Sequence, residues 1–491
     1  MVSIAKDIEA QLPQELLLLI ESCAELAARA EQRLYLVGGA VRDLFLKRPV
    51  LDIDLVVEGN APELALQLVE IRGGDVIIHP RFGTATVRQG TMSIDLVSAR
   101  SETYAMPGAL PTVTPGTIED DLFRRDFTIH AMAVRLDHPH FGDLVDPHGG
   151  YRDLSRGLIK VLHSESFRDD PTRIWRALRY EQRLGFSMEA STEQLLRRDA
   201  GMVDRVSGDR LRHELERILE ENSPEKVFCR AEELGALRYL HQALKANGLL
   251  VEYFEQARRA SADLKPEFSI YLALLVWRLD EEQLEGFLTR LRFNGEIARV
   301  LRDTPHLKRE IRALEKDELL PSDIYHLLEY YNPQAIFAAA LTTDNDRVRA
   351  RIELYLSELQ YVSPALNGDD LKRMGVIPGE NMGKVLQALK DARLNDKVKS
   401  RECEQDLVRQ WLIEGNTEEI TMERKCSVCG KPLTDEKTSA SCALCGAEFH
   451  LDVNGPAGSD CGGLLSPKGR CGLAFVCQPC YDKTMGQDSK F

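Results

Sequence analysis

Residues 36–54 read Leu-Val-Gly-Gly-Ala-Val-Arg-Asp-Leu-Phe-Leu-Lys-Arg-Pro-Val-Leu-Asp-Ile-Asp, and this stretch decides the fold. A glycine pair, Gly38 and Gly39, stands about one helix ahead of two acids, Asp52 and Asp54. Side chains two residues apart in a strand point to the same face, so the two carboxylates are expected side by side. Paired carboxylates suit Mg²⁺, which also takes phosphate oxygens as ligands, and glycine amides can approach a phosphate closely. The stretch therefore predicts a magnesium and phosphate site, with a solvated strand edge as the alternative.

A third acid, Asp95, interrupts the apolar run Ser93-Ile-Asp-Leu-Val97. An acid within such a strand is costly unless it is paired or faces a site. We expect Asp95 to complete a carboxylate cluster with Asp52 and Asp54. The alternative is an acid on an edge strand that faces water.

The composition is that of an ordinary globular protein of several domains. The 491 residues are 43% hydrophobic and 29% charged, with a net charge of −15. We find no apolar run long enough for a membrane span, and Met1–Leu19 is typical of an amphipathic helix rather than a signal peptide, so we expect no membrane partner and a cytoplasmic location. The acidic total excludes a surface coated in basic residues, but a local basic stripe can still bind nucleic acid.

The chain divides into two patterns, which predict an α+β fold. Residues 1–30 are helical in pattern, and up to about residue 162 short strand-like runs then alternate with helical stretches such as Ala61–Ile71. The strand-like runs are Leu34–Val37, Asp52–Val57, Val76–His79, Thr84–Arg88 and Ser93–Val97. From about residue 165 to 415 the pattern is helical, with breaks at Pro224, Pro266, Pro321, Pro333 and Pro364. Residues 414–425 are polar and typical of a linker, and a small Cys- and Gly-rich domain follows.

Two further motifs are typical of nucleotide binding. In Arg124-Arg-Asp126, arginine can bind phosphate through two hydrogen bonds and aspartate can accept from ribose hydroxyls. The alternative is a charged helix N-terminus.

The second motif is Asp169-Asp-Pro-Thr-Arg173, where Pro171 suits the first turn of a helix. Asp170 and Arg173 are three residues apart and are expected on one helix face, where an acceptor beside a donor fork can read the edge of a base. The alternative is a weak salt bridge within the helix.

In this order, the motifs resemble those of the class II tRNA nucleotidyltransferases, the CCA-adding enzymes and bacterial poly(A) polymerases of the DNA polymerase β-like superfamily. The matching segments are Val37-Gly-Gly-Ala-Val-Arg-Asp43, Asp52-Ile-Asp54, Arg124-Arg-Asp-Phe-Thr128, Asp169-Asp-Pro-Thr-Arg173, Arg176-Ala-Leu-Arg-Tyr180 and 206–215. The resemblance covers residues 30–245 by motif and extends to about 415 by length and helicity. It implies a polymerase β-like head (1–162), a neck that binds nucleobase and RNA (163–245), a helical body (246–360) and a tRNA-binding tail (361–415).

The resemblance also implies roles for single residues. Asp52 and Asp54 would bind two Mg²⁺ ions, with Asp95 nearby, and Gly38, Gly39 and Arg42 would hold a triphosphate. Arg125 and Asp126 would contact triphosphate and ribose, while Asp170 and Arg173 would pair with the base of CTP or ATP in place of a nucleic-acid template. Arg176 and Arg179 complete the nucleotide-binding set.

Three features of the sequence leave the specificity open. In the family, the motif that begins at Arg124 usually has Asn where His130 stands. The base-reading motif usually begins with Glu where Asp169 stands. The form Asp-Asp-Pro-Thr-Arg also looks like that of enzymes that add only the terminal A. Residues 100–111 occupy the place of the family's flexible loop, and their Pro and Gly content suits a mobile loop.

The tRNA acceptor surface is expected along the neck, body and tail, through phosphate contacts and helix shape. The candidates are the arginines of 173–217 and the tail residues Lys372, Arg373, Lys384, Lys390, Arg393, Lys397, Lys399 and Arg401. The alternative for each tail residue is an ion pair on a solvated helix face.

A cluster of potential metal ligands fills residues 426–485. It comprises Cys426, Cys429, Cys442, Cys445, His450, Cys461, Cys471, Cys477 and Cys480. Three Cys-x-x-Cys pairs in a cytosolic chain predict one or two Zn²⁺ ions, and disulfides are the alternative. Such a short segment cannot bury enough core to fold without metal.

The ligand order resembles a RING- or PHD-like cross-brace. That resemblance implies one ion for Cys426, Cys429, His450 and either Cys461 or Cys471, and a second for Cys442, Cys445, Cys477 and Cys480. Two successive zinc ribbons remain an alternative, and the domain is expected to bind RNA or protein or to serve stability alone.

The main hypothesis is an enzyme that builds or repairs the 3′-CCA end of tRNA from CTP and ATP and releases pyrophosphate. An A-only adding enzyme and a poly(A) polymerase are the alternatives with the same chemistry. A third hypothesis is a non-catalytic RNA-binding adaptor, which the intact Asp52 and Asp54 disfavour.

Overall fold

A computed structural model describes most of the chain. The described residues are 3–50, 52–104, 106, 108–109, 111–261 and 265–413, followed by shorter segments at 426–428, 433, 439–442, 445, 447–451, 461–465 and 474–479. Of the predicted zinc ligands, Cys429, Cys471 and Cys480 lie outside the described residues.

The N-terminal part is a mixed sheet with helices packed against it, as the alternating pattern predicts. Its elements are α1 (Ala5–Gln11), α2 (Gln14–Arg29), β1 (Leu34–Val37), α3 (Gly39–Phe45), β2 (Ile53–Val57), α4 (Ala61–Arg72), β3 (Asp75–His79), β4 (Thr84–Gln89), β5 (Met92–Ser98), β6 (Arg100–Thr103), β7 (Thr112–Pro115), α5 (Ile118–Phe123), β8 (Ala133–Arg135), β9 (Leu144–Val145), α6 (Gly150–Ser155) and β10 (Leu158–Ile159). The predicted strands are found to within one or two residues. Asp52 was predicted to begin the second strand, but β2 begins at Ile53, so Asp52 lies just outside it.

The seven-stranded sheet has the order β3-β4-β5-β2-β1-β8-β9. Strands β2 and β5 pair in parallel, whereas β1 pairs antiparallel with both β2 and β8. The parallel register sets Asp54 beside Asp95. Residues on adjacent strands in register share a face of the sheet, so two of the three predicted acids lie together.

Helices make up nearly all of residues 166–413. They are α7 (Ser166–Asp169), α8 (Thr172–Leu184), α9 (Ala190–Asp199), α10 (Gly208–Leu219), α11 (Pro224–Glu233), α12 (Gly248–Ala260), α13 (Phe268–Val276), α14 (Glu281–Leu291), α15 (Gly295–Glu310), α16 (Pro321–Leu328), α17 (Pro333–Thr342), α18 (Asp346–Ser357), α19 (Gly368–Arg373), α20 (Glu380–Leu394) and α21 (Arg401–Ile413), with the short strand β11 (Ser187–Met188) paired to β10. Pro224, Pro321 and Pro333 each begin a helix, since proline suits a position where no backbone donor is needed.

The C-terminal region contains two hairpins. Strand β12 (Ser439–Ser441) pairs with β13 (Glu448–His450), and β14 (Gly462–Leu465) pairs with β15 (Ala474–Cys477). The side chain of Phe449 is fully buried in a small core with Leu433, Leu451 and Val476.

Backbone contacts divide the chain into two compact units. One contains residues 1–316 and 330–353, and the other contains 317–329 and 354–491. The α+β class is confirmed, and the finer division into head, neck, body, tail and zinc domain stays a prediction. Within the described residues, every helix is too short or too polar to cross a lipid bilayer.

Candidate active site

The glycine turn between β1 and α3 favours glycine at position 38. Gly38 has φ +71° and ψ −130°, a conformation that side chains rarely adopt. A Cβ atom on Gly38 would lie 2.7 Å from Nη1 of Arg125 and 3.8 Å from Oδ2 of Asp54. The turn therefore brings the backbone directly against the predicted phosphate-binding arginine and the predicted metal-binding acid.

Asp54 lies in a concentrated negative field. Burial raises the pKa of its carboxyl group, Arg125 lowers it, and the charges of Asp95, Asp52 and Asp121 raise it again, with a net rise. Asp52 is exposed just before β2, and Asp95 accepts a 2.6 Å hydrogen bond from Oγ1 of Thr86. A half-buried carboxylate beside other carboxylates gains most from a bound cation, so these hard oxygen donors fit Mg²⁺.

Asp121 organises the two adjacent arginines, and sequence reasoning missed it. One oxygen of this fully buried carboxylate accepts from Arg124 at 2.6 and 2.9 Å, and the other accepts from Arg125 at 2.9 and 3.3 Å. Burial raises the pKa of Asp121, but Arg125 and Arg124 outweigh it and hold the pKa below its usual value. The spacing of three and four residues between Asp121 and the two arginines was the available signal.

Asp126 lies at the centre of a second buried network. Its Oδ1 accepts from Nδ1 of His130 at 2.8 Å, and its Oδ2 accepts from Nη2 and Nε of Arg176 at 2.6 and 2.9 Å. Burial raises the pKa of Asp126, but Arg176 and His130 drive it well below the ordinary value. His130 reaches Arg42 on its other side, with 2.6 Å between Nε2 and Nη1.

The predicted base-reading pair is arranged differently from the expectation. Asp170 lies before α8 rather than on it, and its Oδ1 accepts from the amide and hydroxyl of Thr172 and, at 2.7 Å, from Nη2 of Arg210. The prediction that Asp170 lies on the same helix as Arg173 was wrong, because α8 begins at Thr172 and Asp170 is the C-cap of α7, although both residues line the same cleft. Arg173 is buried and donates to the Ser166 hydroxyl at 2.8 Å and to the Arg124 carbonyl at 2.7 Å.

A single cleft of about 1100 Å³ brings most of the predicted residues together. Its lining includes Gly38, Gly39, Arg42, Asp52, Asp54, Arg125, Asp126, Asp170, Arg173 and Arg176. This volume exceeds that of most small-ligand pockets, so the cleft has room for a nucleotide and part of a second reactant. The lining also includes the predicted phosphate-binding residue Arg124 and two predicted tRNA-binding residues, Arg183 and Arg210. It further includes residues to which the sequence analysis gave no role: Glu102, Tyr104, His130, Tyr180, His213 and Glu214.

Two predicted residues do not line this cleft. Asp95 lies beside Asp54 but faces solvent. It influences the site through its charge, which raises the pKa of Asp54. Arg179 is buried behind the cleft, with its guanidinium 4.7 Å from the centre of the Tyr180 ring and 3.4 Å from Glu221. Their assigned roles stay predictions.

Several predicted tRNA-binding residues of the tail are engaged in ion pairs within it. Asp370 pairs with Arg373 and with Arg401 at 2.6 Å each, and the fully buried Glu404 pairs with Arg393 at 3.2 Å. Lys390 lies over the ring of Tyr325, with Nζ 3.9 Å from its centre. These contacts agree with the alternative of ion pairs, and the tRNA-binding role of the tail stays a prediction.

The described cysteines and histidine of the C-terminal region form two groups that could hold metal. Cys426, His450 and Cys461 form one, Cys442, Cys445 and Cys477 form the other, and the ligand atoms of each lie within 4.8 Å of one another. The groups alternate along the chain, as in the predicted cross-brace. The 3.7 Å between Sγ of Cys445 and Sγ of Cys477 exceeds a disulfide bond of about 2.05 Å. It matches the separation of about 3.8 Å for two thiolates bonded at about 2.3 Å to one tetrahedral ion.

Comparison with sequence families gives two matches. The poly A polymerase head domain matches residues 34–160, and the probable RNA and SrmB-binding site of polymerase A matches residues 185–247. The first contains the glycine turn and Asp54, and the second contains Arg210.

Full-length relatives extend this similarity. The A-adding tRNA nucleotidyltransferase of Geobacter sulfurreducens is 35% identical over 80% of this chain, which spans only 47% of that protein's length. The A-adding tRNA nucleotidyltransferase of Halalkalibacterium halodurans is 32% identical over 73% of this chain and 84% of its own length. The structure of the Thermotoga maritima CCA-adding enzyme complexed with tRNA aligns with a TM-score of 0.69 and 31% identity, over 84% of this chain and 99% of that one.

Proposed function

Because this chain belongs to the family of tRNA nucleotidyltransferases and poly(A) polymerases, we propose that it adds or repairs the 3′-terminal CCA of tRNA, using CTP and ATP. The observation that carries the proposal is the single cleft that gathers the glycine turn, the acids, the paired arginines and the base-reading residues. The chain covers less than half of the first relative, so the activity, the substrates and tRNA as partner are inferred from the site together with the family.

The reaction joins the 3′-oxygen of tRNA to the α-phosphorus of the nucleotide. The bond between that phosphorus and the oxygen that links it to the β-phosphorus breaks, pyrophosphate leaves with that oxygen, and the hydroxyl proton passes to solvent. Asp52 and Asp54 would hold Mg²⁺, and bound Mg²⁺ supplies charge neutralisation at the attacking and leaving oxygens. Arg125, fixed by Asp121, would bind the triphosphate beside the turn at Gly38.

Base selection falls to residues at the junction of α8 and α10. Asp170 is held by Arg210 and Thr172, so its second oxygen, Oδ2, is oriented by a charged donor and a helix cap rather than by Arg173. Arg173 is anchored by Ser166 and Arg124. Protein groups in fixed positions can select a base without a template strand, because their hydrogen bonds fit one base better than another.

A second candidate function is addition of the terminal A alone. The sequence Asp169-Asp-Pro-Thr-Arg173 and the similarity to two A-adding enzymes favour it. Complete CCA addition remains the first candidate, because the aligned CCA-adding enzyme is matched over 99% of its chain.

Three tRNA transcripts test both candidates. They end at the discriminator base, at CC and at CCA, and each is incubated with Mg²⁺ and labelled CTP, ATP or both. Addition of CCA to the first transcript supports the complete enzyme, and a single A added only to the CC-ended transcript supports the A-adding one. If none of the three transcripts becomes labelled, the proposal is overturned.

We further propose that the two C-terminal groups bind one Zn²⁺ each. Cysteine and imidazole ligands in alternating order, with a thiolate separation that suits a tetrahedral ion, support this assignment. The small core around Phe449 is too limited to fold this region alone, so the ions would be structural. Thiolate ligands require a reducing compartment, which supports a cytoplasmic location.

A further inference from the structure

His130 occupies a position that the sequence comparison left without a role. It is buried between three segments: α3, the turn that follows Asp126, and α8. Its ring centre lies 4.4 Å from that of Tyr180 at an edge-on angle of 65°. Both ring nitrogens have a partner, Asp126 at Nδ1 and Arg42 at Nε2.

The partners determine the proton position on this imidazole. Arginine has donors only, so Nε2 of His130 must accept the hydrogen bond from Nη1 of Arg42. The proton of a neutral ring then resides on Nδ1, which donates to Oδ1 of Asp126. A doubly protonated ring would have no acceptor for Arg42 and would add a positive charge beside it.

The surrounding charges agree with a neutral ring. Burial lowers the pKa of His130, Asp126 raises it, and Arg42 and Arg176 lower it, with a net decrease. Asp126 remains ionised because its own pKa lies well below the ordinary value. Tyr180 is the other polar side chain of α8 against the ring, and three guanidiniums surround Tyr180.

The hydrogen bond to His130 holds the part of the Arg42 guanidinium that Asp43 does not hold. Nε and Nη2 of Arg42 donate to the carboxylate of Asp43 at 2.8 and 2.6 Å, which holds one edge of the group. His130 holds Nη1, and the same histidine is tied through Asp126 to Arg176 on α8. Arg42 therefore faces the cleft in an orientation defined jointly by α3, the Arg124-Arg125-Asp126 segment and α8.

We propose that His130 is a positioning residue that, as the neutral Nδ1–H tautomer, orients Arg42 for the triphosphate and links it to Asp126. The proposal rests on the proposed nucleotide site, because Arg42 acts there on the nucleotide. It assigns to His130 a function that depends on the acceptor nitrogen Nε2 and not merely on the size of the ring.

Two amide substitutions separate the two hydrogen bonds. In His130→Asn the amide reaches the place of Nδ1 and keeps the bond to Asp126, but nothing accepts from Arg42. In His130→Gln the amide oxygen reaches the place of Nε2 and keeps the acceptor for Arg42. His130→Leu removes both, and the amide pair keeps the test valid if the leucine variant does not fold. His140→Gln is the matched control, since His140 also contacts an acid, Asp143, but does not line the cleft.

The readout is ATP binding in the presence of Mg²⁺, measured by calorimetry without tRNA. We expect the dissociation constant to rise about tenfold for His130→Asn and His130→Leu, as for loss of a hydrogen bond from a charged donor. His130→Gln should stay within about threefold of the wild type, and His140→Gln should be unchanged. Equal affinities for the Asn and Gln variants would overturn the proposal.

The tautomer is measured separately on protein with ¹⁵N-labelled histidine, where the signal of His130 is identified by its absence in His130→Gln. We expect a neutral ring protonated at Nδ1 at pH 7.5. A doubly protonated ring, or one protonated at Nε2, would overturn the proposal. If the wild type shows the expected tautomer but binds no ATP, the proposed nucleotide site fails while the assigned link between Asp126 and Arg42 stands.

Discussion

At the scale of single residues, the cleft is built from carboxylates whose partners set their chemistry. Asp121 and Asp126 are saturated with arginine and histidine donors and act as anchors for those donors. Arg125 compensates the charge of Asp54 only in part, and the raised pKa of Asp54 makes it the acid best suited to gain from a bound cation. The acids that hold the site together are thus distinct from the acid that is left for chemistry.

Arg210 gives a prediction at this scale. In Arg210→Gln, Asp170 loses its charged donor, so its orientation towards the base is less fixed. We expect the preference for ATP over GTP, as the ratio of kcat/KM on CC-ended tRNA, to fall about tenfold. Arg217→Gln is the control on the same helix, since Arg217 pairs with Glu220 at the surface and does not line the cleft. An unchanged preference would remove Arg210 from base selection.

The placement of residues could be predicted where it depends on local spacing and not where it depends on distant partners. The side-by-side acids and the adjacent arginines follow from positions two or one residue apart. Arg210 meets Asp170 across 40 residues, and His130 meets Arg42 across 88, so no local pattern indicates either pair. The resemblance supplied the position of His130 but not its partners.

At the scale of elements, the turn from β1 into α3 places two constraints on the same residue, Gly38. It needs a positive φ and leaves no room for a side chain beside Arg125. A side chain at Gly38 would therefore both strain the backbone and displace Arg125.

Gly38→Ala separates these two effects when it is compared with Gly73→Ala. Gly73 has φ +75°, but a Cβ atom there would meet nothing within 4 Å. Both variants should lose a similar stability of about 1–3 kcal/mol, measured by denaturant unfolding. Only Gly38→Ala should lose nucleotide transfer, by about a hundredfold, because Arg125 must move. Equal nucleotide-transfer activities of the two variants would contradict the proposed effect of a side chain at position 38 on Arg125.

Elements were predictable because hydrophobic periodicity and proline positions are local signals. The strands around Asp54 and Asp95 were found almost to the residue, and prolines begin three of the long helices. The exception is the segment before α8, where Asp170 was placed inside the helix. There the helix begins at Thr172, two residues after Asp170, and the side chain of Asp170 accepts from the amide of Thr172.

At the scale of the whole molecule, two kinds of stabilisation operate. The helical and sheet parts have extensive apolar cores, whereas the C-terminal region has the small core around Phe449 and two groups of metal ligands. The order of cysteines allowed the two groups to be predicted, since alternating pairs are typical of a cross-brace. Their function beyond stability is not encoded in that order.

Metal analysis tests this division. We expect the purified chain to contain about two zinc ions, and Cys442→Ser and Cys426→Ser each to lose at least about one. Cys403→Ser is the control, because Cys403 is exposed on α21 and belongs to neither group. Zinc content measured by mass spectrometry that stays the same in all variants would contradict the assignment.

The central claim is that the cleft around Asp54 transfers nucleotides to tRNA. The most direct test compares the wild type with Asp54→Asn on CC-ended tRNA, following incorporation of labelled ATP with Mg²⁺ and, in parallel, tRNA binding. The account predicts that the wild type adds A, and that Asp54→Asn loses transfer by about a thousandfold or more while its affinity for tRNA changes less than about twofold. Transfer by Asp54→Asn at the wild-type rate, or no transfer by the wild type, would contradict the account.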